Sequence, residues 1–243
     1  MSELNNQLVL ICGYSATGKT ASLRNLRDQE KWLYLCAETG KDLSFKNKFK
    51  KVRIEDPLHV PQIFDDAIKH PDACCGIIID SLTFLMDMYE SKYVLTASDS
   101  RKMWGQYQQY FKNLMQDKVI KFNKPTLILA HTQDYIDETT NEIKTAVPIK
   151  GALKGVGIES FFTTVVSTKR VNVNDLENYQ NDMLHITEEE ELIGVKHVFQ
   201  TRLTRKTLGE RIRAPMGMFS IKETYIDNDV QILLDHIKDY YGE

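Results

Sequence analysis

Short apolar runs alternate along this chain with longer segments in which apolar residues recur every three or four positions. The short runs have the length and aliphatic content of buried strands, whereas the longer segments have the period of amphipathic helices. The predicted strands lie at about residues 7–12, 32–36, 76–80, 126–131, 161–167 and 195–201. The predicted helices lie at about residues 19–28, 60–70, 82–91, 101–122 and 229–241. This alternation predicts an α/β fold with a mostly parallel central sheet flanked by helices.

The balance between strands and helices changes near residue 161. Helical segments become sparse beyond it, which predicts a β-rich C-terminal edge of the sheet. No internal repeat, low-complexity stretch or Pro/Gly-rich linker divides the chain. We therefore expect one domain over residues 1–243, with a core at about 7–170 and a β-hairpin extension and C-terminal helix at about 171–243.

The composition is that of an ordinary globular protein. Hydrophobic residues make up 42% and charged residues 27% of the 243 positions, and the net charge is −3. No apolar stretch approaches the ~20 residues that a membrane helix requires, and the first residues lack the basic and apolar regions of a secretory signal. The four cysteines follow no metal-ligand spacing and lie in or beside apolar runs, as reduced thiols do. We expect a cytoplasmic protein without a membrane partner.

The first predicted strand leads directly into a glycine-rich motif. Residues 13–20 read G-x-x-x-x-G-K-T, the phosphate-binding loop of nucleoside triphosphatases. The glycines let backbone N–H groups point at phosphate oxygens, and the N-terminus of the following helix adds partial positive charge. We expect Lys19 at the loop surface, where it reaches the β- and γ-phosphates, and Thr20 as a ligand of Mg²⁺. The residues predicted to bind ATP are Gly13, Tyr14, Ser15, Ala16, Thr17, Gly18, Lys19, Thr20 and Ala21.

Two further predicted strands lead into a carboxylate. Residues 76–79 read as a buried strand that delivers Asp80 to the carboxyl edge of the sheet, where ligands bind in open parallel sheets. Beside Thr20, this carboxylate would support the Mg²⁺ of MgATP. The strand at 32–36 is followed by Glu38, which we interpret as the group that orients and polarises the attacking water. An exposed loop glutamate is the alternative interpretation.

The fourth predicted strand ends at His131 and is followed by Gln133. A polar side chain at this edge would detect the γ-phosphate through a hydrogen bond. His131 is equally consistent with a structural histidine whose hydrogen bonds are satisfied within the protein. Both residues are therefore candidates, together with Glu38 and Lys19, for a catalytic role.

Charge is distributed unevenly over the C-terminal third of the chain. Residues 196–213 contain six basic residues and one acid, whereas residues 175–191 contain seven acids and no Lys or Arg. Such runs are usually solvated surface, but these two would also complement one another between subunits, or the basic run would face phosphate. The basic run includes Arg202, Arg205 and Lys206.

The order of these motifs resembles the ATPase core of RecA-like recombinases and helicases. The phosphate loop is followed by a strand that leads to Glu38, a strand that ends in Asp80 and a strand that leads to Gln133. More narrowly, three segments resemble a bacteriophage family of small single-domain RecA-like ATPases associated with recombination and single-strand annealing. These segments are residues 18–26, 199–201 and 214–219. The resemblance covers about residues 7–241.

The resemblance implies a role for each motif. Glu38 matches the catalytic glutamate, Asp80 matches the acid that supports Mg²⁺, and the polar sensor falls at the end of the fourth strand. In RecA-like proteins the segments after the second motif and after the sensor strand line the DNA path, and here these are about residues 91–102 and 134–157. The second segment contains several acids and no aromatic pair for base stacking, which weighs against tight DNA binding by this chain alone.

The resemblance also implies that a cation from a neighbouring subunit completes the active site. Arg211 and Arg213 are the best matches, on what we expect to be a β-hairpin that rises from Lys196. The protein would then act as a homo-oligomer, either a ring or a filament, on single-stranded DNA in the cytoplasm of a phage-infected bacterium. An annealing protein or a single-strand-binding protein would be a further partner. The other basic residues of this hairpin would instead contact DNA phosphates, or the hairpin is only solvated surface.

Together these observations predict a Mg²⁺-dependent ATPase of RecA-like type that acts on single-stranded DNA in phage recombination, annealing or replication. Two other classes of protein share the phosphate loop. In one, nucleotide binding drives assembly with a partner and hydrolysis is weak. The other class is that of small-molecule kinases, which need an Arg-rich lid and a pocket for the acceptor. Glu38 on the adjacent strand instead favours water as the phosphoryl acceptor.

Overall fold

Eight strands form one central sheet in the computed structural model, which describes residues 5–38 and 42–242. The strands of this part of the chain are β1 (Leu8–Gly13), β2 (Trp32–Cys36), β3 (Lys50–Arg53), β4 (Gly76–Asp80), β5 (Thr126–His131), β6 (Gln133–Asp137), β7 (Glu142–Ala146), β8 (Thr164–Asn172), β9 (Val195–Gln200) and β10 (Tyr225–Asp227). β6 and β7 pair with each other in a separate two-stranded sheet.

Helices cover both faces of the central sheet. The α-helices are α1 (His59–Lys69), α2 (Leu82–Tyr89), α3 (Ser100–Asn113), α4 (Ile120–Phe122), α5 (Leu153–Val156), α6 (Glu188–Ile193) and α7 (Val230–Tyr241). π-Helical turns extend α2 over Glu90–Val94 and join α3 to α4 over Leu114–Val119. Short 3₁₀-helices lie at Thr20–Leu23, Gln29–Lys31, Pro71–Ala73, Ile158–Phe161, Val173–Tyr179 and Lys222–Thr224. No helix in the described ranges is long and apolar enough to cross a membrane.

The strand order in the central sheet is β10-β9-β8-β1-β5-β4-β2-β3. The strands from β8 to β3 are parallel to their neighbours, whereas β9 and β10 are antiparallel. The fold is therefore the predicted α/β arrangement of a RecA-like P-loop NTPase, with a β-rich C-terminal edge. Because β1, β2, β4 and β5 run in one direction, their carboxyl ends meet at the same edge, where ligands bind in open parallel sheets.

The central strand β1 is buried on both faces. Successive residues of a strand point to opposite sides. Leu8, Leu10 and Cys12 pack in a core with residues of α1, α2 and α3, and Val9 and Ile11 pack in a second core with residues of α7. The end of β1 is thus held from both sides, and this fixes the starting point of the phosphate loop.

The predicted helix at 19–28 is wrong. Only Thr20–Leu23 is helical, as a single 3₁₀-turn, and the chain then follows the start of α7. Arg24 and Asn25 hydrogen bond to the segment before α7, since Arg24 Nη1 lies 3.2 Å from the Asn228 carbonyl oxygen and Asn25 Nδ2 lies 2.6 Å from Asp229 Oδ2. These contacts between distant parts of the chain override the local helical preference.

The segments that the RecA-like resemblance places along the DNA path contain regular secondary structure. Residues 91–102 are mostly helical, and residues 134–157 contain most of the β6–β7 hairpin, whose turn is closed by a 2.7 Å bond from Asn141 N to the Asp137 carbonyl oxygen. Two of the cations in these segments are already neutralised, because Lys144 pairs with Asp137 and Lys150 Nζ lies 2.6 Å from Glu90 Oε2. Their charge is therefore not freely available to DNA.

The predicted β-hairpin rising from Lys196 is also wrong. β9 ends at Gln200, and the chain has no further strand until β10. Arg213 forms an isolated antiparallel bridge with Val165, at a position on β8 that β9 does not reach. The basic residues between these points therefore lie on irregular chain rather than on a regular ribbon.

Candidate active site

The phosphate loop begins at the carboxyl end of β1, between β5 and β8. Gly13 is packed so closely that a Cβ would collide with the Thr168 hydroxyl and lie 2.9 Å from the Thr168 carbonyl oxygen. Gly18 has a φ of +99°, and a Cβ there would lie 2.5 Å from Asn228 Nδ2. Both positions require glycine, which fixes the path of the loop between β8 and the segment that follows β10.

The loop has the donors that phosphate needs. The backbone N–H groups of residues 15–19 donate no hydrogen bond within the described part of the chain. Unpaired N–H groups in a tight loop form an anion-binding concavity, so this loop fits the phosphates of a nucleotide. The prediction that a helix N-terminus adds partial positive charge here is wrong. The 3₁₀-turn of four residues that follows the loop is too short to supply a substantial dipole.

Six of the nine residues predicted to bind ATP line one pocket. These are Ser15, Ala16, Gly18, Lys19, Thr20 and Ala21. The other three support the loop from outside this pocket. Thr17 Oγ1 lies 2.8 Å from the Tyr14 carbonyl oxygen and 2.5 Å from Thr168 Oγ1, and the Tyr14 hydroxyl donates to Asp134 at the start of the β6–β7 hairpin. Gly13 provides the close contact with β8 described above.

Lys19 is buried, and its expected position at the loop surface is therefore wrong. Only 6% of the residue is exposed, and Nζ donates to the carbonyl oxygens of Gly13 at 2.9 Å and Tyr14 at 2.7 Å. Burial lowers the pKa of Lys19 to about 8, although the nearby carboxylates of Asp80 and Glu38 favour the charged form. The ammonium group is thus held inside the loop, where phosphate oxygens would take the place of these two carbonyl oxygens as its partners.

Asp80 lies beside Thr20, as the motifs predict. Thr20 Oγ1 donates to Asp80 Oδ2 at 2.9 Å, and the buried Tyr34 hydroxyl donates to the same oxygen at 2.7 Å. Burial raises the pKa of Asp80, and the two hydroxyl hydrogen bonds oppose this shift. A hydroxyl and a carboxylate in contact, next to a phosphate loop, are a donor set that fits Mg²⁺, which takes few protein ligands and keeps several waters.

Glu38 reaches the same pocket from the end of β2. Its Oε1 lies 3.2 Å from His131 Nε2 and accepts a long hydrogen bond of 3.4 Å from Ser81 Oγ. The His131 ring packs edge-to-face against Phe84, at a centroid distance of 5.7 Å. Glu38 is thus positioned by residues that follow β4 and end β5, so the interpretation as an exposed loop glutamate does not describe it.

These groups share a single pocket of about 340 Å³, a volume typical of small-ligand sites. The strands β2, β4 and β5 deliver one functional side chain each, namely Glu38, Asp80 and His131, and β1 delivers the phosphate loop. The arrangement can hold a nucleoside triphosphate with its metal ion and place the Glu38 carboxylate beside them. The described residues contain no cluster of three or more His, Cys, Asp or Glu side chains that would hold a metal by itself.

Three predicted catalytic residues do not line this pocket. Gln133 is exposed and lines a neighbouring cavity of about 440 Å³ together with Arg211. The Arg211 guanidinium is paired within the subunit, since Nη1 lies 3.0 Å from Oε2 of the buried Glu159. Arg213 is exposed, and its side chain forms neither a hydrogen bond nor an ion pair in residues 5–38 and 42–242. Of the two sensor candidates, the structure therefore brings His131 to the nucleotide pocket.

Sequence reasoning missed three residues that contact the loop or the metal-binding pair. Tyr34 donates to Asp80, and Asn228 Nδ2 donates to the Gly18 carbonyl oxygen at 2.9 Å. His197 on β9 lines the pocket, with Nδ1 3.0 Å from the Thr17 carbonyl oxygen. The alternation of β2 could have indicated that Tyr34 and Glu38 point to the same face of the sheet. No local pattern connects Asn228 or His197 to a loop about two hundred residues earlier.

Comparison with known proteins places the chain in a family. A family model described as an AAA domain matches residues 5–198, which include the phosphate loop, Glu38, Asp80 and His131. The chain belongs to this AAA-domain family. No curated protein sequence matches it. Among solved structures, a KaiC-like protein from the hyperthermophilic archaeon Pyrococcus horikoshii OT3 is similar, with 15% identity and a TM-score of 0.46 over 86% of this chain and 83% of that chain.

The family and the site together identify an ATP-binding P-loop NTPase. The match to the AAA-domain family extends into β9, so it covers the whole parallel part of the sheet and every residue that lines the nucleotide pocket. Nucleotide binding with Mg²⁺ is the property that such a loop, a threonine and an adjacent aspartate support.

Proposed function

We propose that this AAA-domain protein is a Mg²⁺-dependent ATPase that acts on single-stranded DNA in phage recombination, annealing or replication. The observation that carries the ATPase part is the position of Glu38 in the pocket of Lys19 and Thr20, where it is fixed by His131. A carboxylate held beside the phosphate loop can orient and activate water, whereas transfer to a small-molecule acceptor would need a pocket for that acceptor.

Different residues of the pocket have different roles in the proposed hydrolysis. Lys19 and the N–H groups of the loop bind the phosphates, and Glu38 orients water and accepts its proton. Thr20 and Asp80 would hold Mg²⁺, which when bound neutralises charge that develops on the phosphate oxygens. His131 contacts Glu38, and in this proposal it changes the position of the carboxylate when the γ-phosphate is present.

The resemblance to RecA-like ATPases supports a homo-oligomer, a ring or a filament, in which a neighbouring subunit completes the site. Arg211 is occupied by Glu159, whereas Arg213 is exposed and without an ion pair in the described ranges. We therefore assign the role in trans to Arg213. An annealing protein or a single-strand-binding protein is the further partner expected in this function.

Steady-state ATPase measurements with and without single-stranded DNA test the proposal. Hydrolysis that DNA stimulates supports it. Tight ATP binding with negligible hydrolysis in both conditions would instead indicate an assembly scaffold, and turnover only with an added small-molecule acceptor would indicate a kinase. Either result would contradict the proposed ATPase.

Mixing two inactive variants tests the shared site. Glu38→Gln and Arg213→Ala each lack one component, and mixed interfaces restore both. We expect partial recovery of ATPase activity on mixing, because a cation supplied in trans contributes about 10³–10⁵ in rate. Arg27→Ala, which removes an exposed cation elsewhere, is the control and should remain active alone. A fully active Arg213→Ala, or a mixture that co-assembles and stays inactive, would refute the assignment.

A further inference from the structure

A groove of about 1030 Å³ lies at the β-rich edge of the sheet, away from the nucleotide pocket. It is formed by β8, β9, the start of β10 and the loops between them, and it shares no lining residue with the pocket around Lys19. Five of its lining residues are basic and one, Asp175, is acidic. The basic residues are Lys169, Arg170, Arg202, Arg205 and Lys206. The groove is therefore strongly positive in a protein whose net charge is −3.

Three of these cations are available to a ligand. Arg170, Arg205 and Lys206 are exposed, and their side chains form no hydrogen bond or ion pair with any described residue. Lys169, by contrast, pairs with Glu210. Holding like charges together without counter-ions is unfavourable, so an anionic ligand that spans all three would gain electrostatic energy by neutralising them.

Aromatic side chains line the same groove. Tyr179 and Tyr225 contact each other edge-to-face, with ring centroids 4.9 Å apart and an interplanar angle of 88°. Tyr179 is half-buried, so part of its ring remains accessible. Cations that follow a backbone, next to aromatic rings on which bases stack, are the combination that binds single strands without sequence preference. A duplex, whose bases are already stacked, would use only the cations.

We propose that this groove is the binding site for single-stranded nucleic acid, with Arg170, Arg205 and Lys206 on the phosphates. This inference rests on the proposed function with single-stranded DNA. In this proposal the nucleic-acid strand lies along β8 and the loop after β9 rather than along residues 91–102 and 134–157. The cations Lys144 and Lys150 of the latter segment are neutralised within the subunit, whereas the three groove cations are not.

The groove is directly connected to the phosphate loop. Thr168, which contacts Thr17 of the loop at 2.5 Å, immediately precedes the groove residues Lys169 and Arg170 on β8. Arg170 is opposite His197 on β9, and the His197 ring lies 3.0 Å from the Thr17 carbonyl oxygen. Thr168 on β8 and His197 on β9 thus contact the phosphate loop, and neighbouring residues of the same two β-strands line the groove. Nucleic acid bound in this groove is therefore placed to influence the nucleotide site.

Fluorescence anisotropy with the full chain and a labelled oligothymidylate tests the site. An oligonucleotide of about 20 nucleotides exceeds the length that one single-strand-binding fold covers. The test variant is Arg170→Ala/Arg205→Ala/Lys206→Ala. Three phosphate contacts on a single strand contribute about 2 to the slope of log K against log salt, so we expect about 10²-fold weaker binding near 0.1 M salt and a slope smaller by about 2.

Two further variants are needed: a matched control, and a rival variant that tests the DNA path implied by the RecA-like resemblance. Lys46→Ala/Lys48→Ala/Lys238→Ala removes three exposed cations outside the groove and should bind DNA nearly as the wild type does. Arg101→Ala/Lys102→Ala/Lys154→Ala removes exposed cations from the segments that the RecA-like resemblance places along DNA. If the rival variant loses binding and the groove variant does not, the proposal is overturned. Equal loss in the control variant would also overturn it, because the effect would then reflect net charge.

The remaining measurements separate failure of the inference from failure of the proposed function. All three variants should retain wild-type ATPase activity without DNA and wild-type melting temperature, since none of these residues lines the nucleotide pocket. If the wild type binds no single-stranded DNA, the DNA part of the proposed function fails together with the site. If it binds DNA and the groove variant binds equally well, only the site is wrong. Tighter binding of duplex of the same length would overturn the assignment to single strands.

Discussion

Tyr34 offers the sharpest test of how the metal-binding pair is held. Its hydroxyl donates to Asp80 Oδ2 at 2.7 Å, and both residues are buried. Tyr34→Phe removes this donor and keeps the ring, which stacks on Phe49 at a centroid distance of 5.8 Å. After the change, Thr20 is the one side-chain donor that remains on Asp80 among the described residues. The variant therefore isolates a single hydrogen bond to a buried carboxyl group.

The expected loss in the free energy of unfolding depends on whether the hydrogen-bond acceptor is charged or neutral. A hydrogen bond to a charged group contributes about 1.5–3 kcal/mol to the free energy of unfolding, against about 0.5–1.5 kcal/mol for a neutral acceptor. Tyr110→Phe is the matched control, because the buried Tyr110 hydroxyl donates to the Pro57 carbonyl oxygen at 2.8 Å. For a chain of this size, we expect Tyr34→Phe to lower the melting temperature by about 3–12 °C and Tyr110→Phe by less.

The pH dependence separates this hydrogen bond from a simple packing defect. Burial already raises the pKa of Asp80, and the Tyr34 hydroxyl opposes that shift, so its removal raises the pKa further. Because the hydroxyl stabilises the ionised carboxylate, the deficit of the variant should be largest where Asp80 is ionised and should shrink as pH falls and Asp80 becomes protonated. A cavity or packing effect would be independent of pH.

Urea unfolding at several pH values measures these differences, and the Mg²⁺ dependence of ATPase activity gives the functional result. We expect the Mg²⁺ concentration for half-maximal activity to rise about tenfold or more in Tyr34→Phe, because groups that orient a metal ligand affect affinity on this scale. It should not change in Tyr110→Phe. Equal costs in the two variants, or an unchanged Mg²⁺ requirement, would refute the role of Tyr34.

Three further predictions concern the nucleotide pocket. Lys19→Ala should abolish ATP binding, and near wild-type hydrolysis by this variant would overturn the proposed site. Because the change also removes two buried hydrogen bonds, urea unfolding should show a free energy of unfolding lower by about 1–3 kcal/mol. Because burial lowers the pKa of Lys19 to about 8, ATP binding at higher pH must take up a proton, and affinity at pH 9 should be about tenfold below its neutral-pH value in a fluorescence titration; a flat profile would contradict this. Glu38→Gln should keep ATP affinity and lose about 10²-fold or more in kcat, and an unchanged kcat would move the catalytic role to Asp80.

The parallel part of the sheet could be predicted because its signals are local. Each signal is contained in a few consecutive residues: an apolar run of strand length, the glycines of the phosphate loop, and the carboxylate that follows β2 or ends β4. Parallel strands then bring their carboxyl ends together regardless of the details of packing. The pairing of Thr20 with Asp80 and the approach of Glu38 to His131 follow from that topology.

The remaining features depend on contacts between distant segments. The 3₁₀-turn after the phosphate loop exists because Arg24 and Asn25 bond to the segment before α7, and the sequence of the turn itself favours a longer helix. The burial of Lys19 depends on the path of the loop between β8 and Asn228. The pairing of Arg211 with Glu159 joins residues 52 positions apart. Local patterns contain no information on these pairs, and the β6–β7 hairpin was missed because its strands are mostly polar.

Nucleotide binding and the proposed DNA groove should be linked, and the linkage has a quantitative signature. The phosphate loop is held on one side by Thr17, which contacts the buried Thr168 next to the groove residue Lys169, and on the other by Tyr14, which donates to Asp134. We expect closure of the loop on phosphates to alter the contact between Thr17 and Thr168, and this change would link the nucleotide site to the groove through β8. By reciprocity, the factor by which a non-hydrolysable ATP analogue changes DNA affinity must equal the factor by which DNA changes affinity for the analogue.

Thr17→Val tests this linkage. It removes the hydroxyl that contacts Thr168 and the Tyr14 carbonyl oxygen, and keeps a side chain of similar shape. We expect each ligand to bind separately with a small change in affinity, whereas the reciprocal factor moves toward one. Anisotropy titrations of labelled DNA with and without the analogue, and of a labelled analogue with and without DNA, measure the factor in both directions. A factor of one already in the wild type, or a factor unchanged in Thr17→Val, would show that β8 does not couple the two sites.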